Sequence, residues 1–254
     1  MPNNEDSFYQ PENIKIFEAI YDKGLISLGG FSAVERMFEG LQLQEKNLLD
    51  IGFGLGGMAH HLAKTRDAWV TGIEIYPWMT EYAAKMSPLS IKDRVKFVVY
   101  NPDNTIPLAS ASMDLVYSKG VLTNVQDKKS LFCEIARVLK VGGQICLIDW
   151  LAPSAPKTEK LHLGDLSYKE SQASYCDILT ACGFRDITFH NESSVYLDYA
   201  QELDRKLRSA SHISQFSGII SPELRQEIIT ANTKLIESIN SGAQLSYLIR
   251  ATLN

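Results

Sequence analysis

LLDIGFGLGG, residues 48–57, is the stretch on which the fold turns. An apolar run enters Asp50, and Gly52, Gly54, Gly56 and Gly57 then form a loop ahead of a helix-like segment. Missing side chains let backbone approach a ligand closely and accept positive φ. The spacing of Gly52, Gly54 and Gly57 also satisfies the dinucleotide pattern GxGxxG, which alone is a weak signal. Three features tilt the loop toward S-adenosylmethionine (SAM). Asp50 at the strand end would meet a pyrophosphate with unwelcome charge, whereas SAM has no phosphate and carries a cationic amino group. Glu74 ends a second strand-like run about twenty residues on, where a carboxylate can hold both ribose hydroxyls. About 46 residues precede the first strand, more than a dinucleotide domain often carries.

Outward from this loop, strand-like stretches alternate with helical ones. NLLDI, AWVTGIEI, VKFVVY, MDLVYS and QICLIDW are separated by helical patterns around 56–65, 77–86 and 127–140, with Gly142–Gly143 closing the helix that ends in ARVLK. This alternation predicts a Rossmann-like α/β fold with a mostly parallel, seven-stranded sheet and helices on both faces. DITFH and QLSYLIRATL supply the sixth and seventh strands, and a helix near 170–182 ends at Gly183. Ahead of the sheet, Pro11 suits a helix start, and cap helices are expected within residues 1–44. A helical insertion is expected over about 194–241, in segments 195–215 and 222–240, the second opened by Ser221 and Pro222. One domain, 1–254, accommodates all of this.

The chain has 254 residues and a formal net charge of −5. A protein gripping nucleic acid through phosphates carries a basic face, and no Lys/Arg-rich block of useful length occurs, so no nucleic acid partner is expected. No apolar run approaches the ~20 residues that span a bilayer. The polar, acidic start MPNNEDSFYQ has neither part of a secretory signal, so a cytoplasmic protein without membrane attachment is expected. Cys133, Cys146, Cys176 and Cys182 lack CxxC spacing and fall in strand-like or helix-like segments, which predicts buried thiols rather than disulfides or zinc ligands. His60 and His61 are adjacent and cannot share a helix face, and no metal is expected. A monomer or weak dimer is the expected state.

The blocks LLDIGFGLGG, VTGIEI, IPLASASMDLVYS and ARVLKVGGQICLIDW resemble the successive motifs of class I SAM-dependent methyltransferases over roughly residues 45–150. Within that superfamily the chain is most similar to phosphoethanolamine (phosphobase) N-methyltransferases, through GLISLGG, YCDILTACGF at 175–184 and the late helical insertion. The resemblance implies SAM as cofactor and methyl transfer to a small molecule, with an amine as one candidate acceptor. It also implies roles for particular residues. Ile26 and Ser27 would touch the methionine part of SAM, with Asp50, Gly52 and Gly54 lining the glycine loop at that end. Glu74 would bind the ribose, Ile75 would pack on adenine, and Asn101 or Asp103 would read the adenine edge. Ser118 and Lys119 would lie beneath the reacting centre.

Tyr9 matches the family's catalytic tyrosine, which works with a histidine to deprotonate the amine. The position of that histidine is Asn124 in VLTNVQD, and the family's preceding acidic residue is Gly120. The family's phosphate-holding arginine and tyrosines fall within 150–168. This chain has no arginine between Arg137 and Arg185, carries Trp150 in place of a tyrosine, and offers Tyr168 with Lys157, Lys160 or Lys169 as local donors. Lys234 lies near another phosphate contact of the family. Asn cannot titrate as histidine does. Two other readings therefore stand beside methyl transfer: a SAM-binding protein without turnover, and a nicotinamide-dependent oxidoreductase that the GxGxxG spacing alone permits.

Overall fold

The run at 48–51 is a central strand. β1 (Asn47–Ile51) buries Leu48 on one face of the sheet and Leu49 and Ile51 on the other, as a strand covered by helices on both sides must. It pairs in parallel with β2 (Trp69–Glu74) and β4 (Met113–Lys119). β3 (Val95–Val99) extends the sheet beyond β2, and β5 (Leu139–Leu151) extends it beyond β4. β8 (Phe184–Asn191) and β9 (Leu245–Leu253) complete the order β3-β2-β1-β4-β5-β9-β8, with β9 alone antiparallel. The chain builds outward to β3 and then returns to the other side of β1. That reversal opens a crevice at the carboxyl ends of β1 and β4, where open α/β sheets take their ligands. The computed structural model describes residues 9–103, 105–160, 166–209, 212, 216 and 218–254.

Helices cover both faces. α5 (Lys128–Val138) and α6 (Gln172–Ala181) cover one through Phe132, Ile135, Tyr175 and Leu179. α2 (Gly30–Met37) and α3 (Gly57–Thr65) cover the other through Val34, Met37, Met58 and Leu62. α4 (Pro77–Met86) connects β2 to β3. The amino-terminal α1 (Ile14–Tyr21) packs on the insertion helices α7 (Ser193–Arg208) and α8 (Pro222–Asn240), with Ile16, Ile20, Leu203, Leu207 and Ile229 in a satellite core. Lys206 Nζ donates to Ala19 O at 2.8 Å, a cation at the carboxyl end of α1 where the helix dipole favours it. Ser221 caps α8 by accepting from Leu224 N at 3.2 Å, as its sequence signature requires. No described helix is long and apolar enough to cross a membrane.

Several expectations need correction. The helix read to residue 140 stops at Val138, and Leu139 already pairs with Met113. Gly142 and Gly143 therefore lie inside β5, beside a register shift against β4. Lys140 pairs with Asp114 at 2.8 Å, which favours the extended course. The first insertion helix ends at Arg208, and much of the remaining stretch to 215 lies outside the described residues. A hairpin of β6 (Lys157–Lys160) and β7 (Leu166–Lys169) was not anticipated. Among the cysteines only Cys146 is buried; Cys133 is exposed, and Cys176 and Cys182 are half-buried.

Candidate functional site

The glycine loop is shaped from two sides. Gly54 has φ +57° and donates its N–H to Glu74 Oε2 at 3.1 Å, while a Cβ there would meet Ile26 at 2.6 Å. Gly57 N donates to Gly24 O at 2.9 Å, and a Cβ at Gly57 would stand 2.5 Å from that same oxygen. The segment after α1 thus docks backbone to backbone on the loop, an approach that any side chain at 57 would block. Ile26 continues into a cluster with Phe53, Met79, Tyr76 and Tyr9. Tyr9 lies 6.0 Å from Phe17 and 6.2 Å from Tyr76 between ring centroids.

Two carboxylates end adjacent strands. Glu74 closes β2, nearly buried, and its Oε1 accepts from Ile75 N at 2.7 Å. Burial raises its pKa, opposed by the N–H groups of Gly54, Ile75 and Tyr76. Asp50, fully buried near the end of β1, faces the Tyr117 hydroxyl across the β1–β4 pairing, but neither oxygen has a partner within normal hydrogen-bond geometry. Desolvation, with Glu74 nearby, pushes the Asp50 carboxyl up to about 8. A buried carboxyl left without a partner is costly, and a bound cation is one group that would satisfy it.

At the end of β4, Ser118 and Lys119 diverge. Ser118 Oγ donates to Ile51 O at 2.8 Å and stitches β4 to β1. Lys119 is buried, and its Nζ donates to Ser27 Oγ at 2.7 Å and Leu28 O at 2.8 Å, 5.7 Å from the centre of the Tyr196 ring. Burial without a carboxylate partner lowers its pKa to about 7. In a turn after β3, Asn101 Oδ1 accepts from the backbone N–H of Asp103 at 3.1 Å.

Beyond Lys119 the chain makes a 3-10 turn at Leu122–Asn124, which leaves Asn124 exposed. The turn is anchored from below by Asp149, fully buried at the end of β5. Asp149 accepts from Thr123 Oγ1, from Trp150 N at 2.9 Å and from Tyr175 Oη at 3.1 Å. Lys128, also buried, donates to Val125 O at 2.8 Å and to Tyr168 O of β7. Trp150 sits edge-on to Tyr196 at 5.4 Å.

Residues 49–147 match the methyltransferase domain family. A phosphoethanolamine N-methyltransferase 1 of Arabidopsis thaliana is 28% identical, the alignment covering 82% of this chain and 43% of that protein. The phosphoethanolamine N-methyltransferase of Plasmodium falciparum is also 28% identical, over 80% of this chain and 77% of its own. In solved structures, a Haemonchus contortus phosphoethanolamine N-methyltransferase 2 in complex with SAM superimposes with a TM-score of 0.85 at 20% identity, covering 97% of this chain and 57% of that one. The fold is the Rossmann-like class I methyltransferase fold. The chain spans less than half the length of the Arabidopsis relative.

Within this fold the cofactor-side candidates fall into three groups. Ile26, Gly54 and Glu74 meet at the loop, with Ile75 beside Glu74; Ser27 and Lys119 form a second contact; Asp50 and Gly52 line the β1 end. Ser118 is occupied by backbone, and Asn101 Oδ1 by the backbone N–H of Asp103. Tyr9 packs on the β2–α4 side, whereas Asn124 rides the turn after β4. Sequence reasoning missed Asp149, Thr123, Tyr175 and Lys128. An aspartate ending the apolar strand QICLIDW was the available signal, since a charge buried there must be paired.

Of the candidate phosphate donors, Lys157 and Lys169 both pair with the Glu159 carboxylate, Lys169 at 2.6 Å. Lys169 also bonds Gln244 Oε1. The side chain of Lys160 lies outside the described residues. Lys234 is exposed on α8.

Proposed function

We propose that the chain transfers a methyl group from SAM to the nitrogen of a small amine, acting in the cytoplasm as a monomer or weak dimer without a nucleic acid partner. The carrying observation is Asp50: a buried, unpartnered carboxylate beside a glycine loop whose second acid, Glu74, is already oriented by backbone N–H groups. That pair of acceptors fits SAM, which brings a cation, a ribose diol and no phosphate. Asp50 would face the ammonium, Ile26, Ser27 and Gly52 would line the methionine part, and Glu74 would hold the ribose. Ile75 would pack on adenine, with Asn101 or Asp103 at its edge. Bound there, SAM supplies a sulfonium-activated methyl group.

The protein's own residues then align and shield. Tyr9, Ile26 and Tyr76 form an apolar wall over the loop, which keeps water from the reacting pair and holds both reactants in one geometry. Lys119, with its pKa lowered to about 7, tolerates a cationic neighbour better than an ordinary lysine. A primary ammonium with a pKa of about 10 must lose a proton before nitrogen can attack. Asn124 cannot take that proton, but its side-chain oxygen can accept a hydrogen bond from the amine and orient it.

Calorimetry with SAM and S-adenosylhomocysteine tests the cofactor half. Micromolar binding is expected, on the order of −8 kcal/mol, and no heat with either ligand would sink the reading. Release of S-adenosylhomocysteine from SAM with ethanolamine, phosphoethanolamine, glycine and their N-methylated forms tests the acceptor half. Binding without turnover of any amine would favour a second reading, a SAM-binding protein without catalysis. Asn124 at the position of the family's histidine supports that alternative.

A further inference from the structure

Outside the cleft, two of the four cysteines come together despite their separation in sequence. α5 and α6 pack side by side on one face of the sheet, with Phe132 edge-on to Tyr175 at 5.6 Å. Cys133 lies on α5 and Cys182 caps the carboxyl end of α6, 49 residues apart in sequence. Their Sγ atoms are 2.8 Å apart, so bonding at ~2.05 Å requires closing less than about 1 Å. Cys133 is exposed, while Cys182 is half-buried and also contacts Lys129 O at 3.6 Å. Cys146 is buried in the opposite core, and Cys176 has no comparable sulfur contact among the described residues.

We propose that Cys133 and Cys182 are a redox modification site that closes to a reversible disulfide between α5 and α6. The oxidant is a hydroperoxide. The exposed Cys133 thiolate attacks one peroxide oxygen, the O–O bond breaks, and sulfenic acid forms with release of hydroxide. Sulfur is oxidised by two electrons and peroxide is reduced. The Cys182 sulfur then attacks the sulfenic sulfur, an S–S bond replaces the S–O bond, and the Cys182 proton leaves with the hydroxyl as water. Burial and the adjacent Cys133 thiol raise the Cys182 pKa, so the first attack on peroxide falls to the exposed sulfur.

The bond would join two helices that support the acceptor-side turn. α5 carries Lys128, which holds Val125 and Tyr168, and α6 carries Tyr175, which holds Asp149. The SAM-side residues on β1 and β2 are untouched by it. This inference is independent of which acceptor the domain uses.

The full chain, reduced and then treated with hydrogen peroxide, decides the matter. Thiol titration under denaturing conditions should fall from four groups to two, and non-reducing peptide mapping should find Cys133 joined to Cys182. Dithiothreitol should return all four. The thermal midpoint should rise on the order of 5 °C from closing the long loop, with affinity for S-adenosylhomocysteine changed less than twofold. Cys182→Ser should leave Cys133 as a sulfenic acid trappable by dimedone. If that variant fails to fold, Cys133→Ser at the exposed position must abolish the cross-link instead. Four unreacted thiols, a link to Cys176, an intermolecular disulfide or over-oxidised Cys133 alone would each overturn the proposal.

Discussion

Asp50 and Glu74 end neighbouring strands, and burial treats them differently. Glu74 is compensated by backbone N–H groups, so its carboxylate is preset to accept further hydroxyl donors. Glu74→Ala should weaken SAM binding by ~1.5–3 kcal/mol, the size of charged hydrogen bonds; unchanged affinity in calorimetry would move the ribose contact elsewhere. Asp50 has only the facing Tyr117 hydroxyl to oppose its burial and holds its proton up to about pH 8, whereas an unfolded aspartate loses it near pH ~3.9. Because the folded pKa is the higher one, the contribution of Asp50 is fully present below about pH 4 and is lost as pH rises toward 8. Asp50→Asn should therefore raise the thermal midpoint more at pH 8 than at pH 5, and an equal change at both would refute the shift. A bound ammonium would ionise Asp50, so at pH 7 S-adenosylhomocysteine should release up to about one proton. Heats in phosphate and Tris would then differ by the buffers' ionisation enthalpies. Both acids were legible in the sequence because each closes a strand beside or beyond the glycines. The state of Asp50 was not, because it depends on burial and on Tyr117 across the sheet.

Among the elements, the amino-terminal segment makes contacts on three sides of the glycine loop region. It meets the loop through Gly24 O and Gly57 N, the sheet through Lys119 with Ser27 and Leu28, and α4 through Glu18, which accepts from Tyr82 Oη at 2.9 Å. These are few polar contacts across a boundary, the kind that opens locally. Binding of SAM should slow amide exchange in residues 9–30, while Lys119→Met should speed it there and leave β1 and β4 unchanged. Equal exchange in all three states would make the segment fixed scaffold. The sheet's strands were legible from alternating apolar patterns, and α8 from Ser221 and Pro222. The hairpin of β6 and β7 was not. Its strands are four residues each, too short to show a period, and ion pairs through Glu159 help to hold them. Gly142–Gly143 misled for a related reason: paired glycines mark a helix end or a strand irregularity equally well, and pairing with β4 decides between them.

At the scale of the whole molecule, the proposed cofactor and acceptor ends depart to different degrees from the motifs of the phosphoethanolamine N-methyltransferases the chain resembles. The proposed SAM end has the loop, both acids and the docked cap segment. The proposed acceptor end differs in three independent places. On this reading Asn124 stands where the resemblance implies a proton-accepting histidine, and loss of a general base costs ~10²–10⁴ in rate. No arginine lies between Arg137 and Arg185, so the bidentate phosphate partner that the resemblance implies there, worth ~1.5–3 kcal/mol, is absent on this reading. The nearby Lys157 and Lys169 are already neutralised by Glu159, so a phosphate would have to displace a carboxylate to reach them. Trp150, packed on Tyr196, adds an apolar wall suited to a less charged acceptor. Phosphoethanolamine and its mono- and dimethyl forms should therefore turn over poorly beside uncharged amines. Asn124→His should restore little phosphobase activity, because the base returns without the clamp. Glu159→Gln should lower the KM for phosphoethanolamine by freeing the two lysines, with kcat little changed since the base is still absent. Robust turnover of any phosphobase by the unmodified chain would show instead that Lys234 or the hairpin lysines hold phosphate despite Glu159, and would return the acceptor to the class its relatives use.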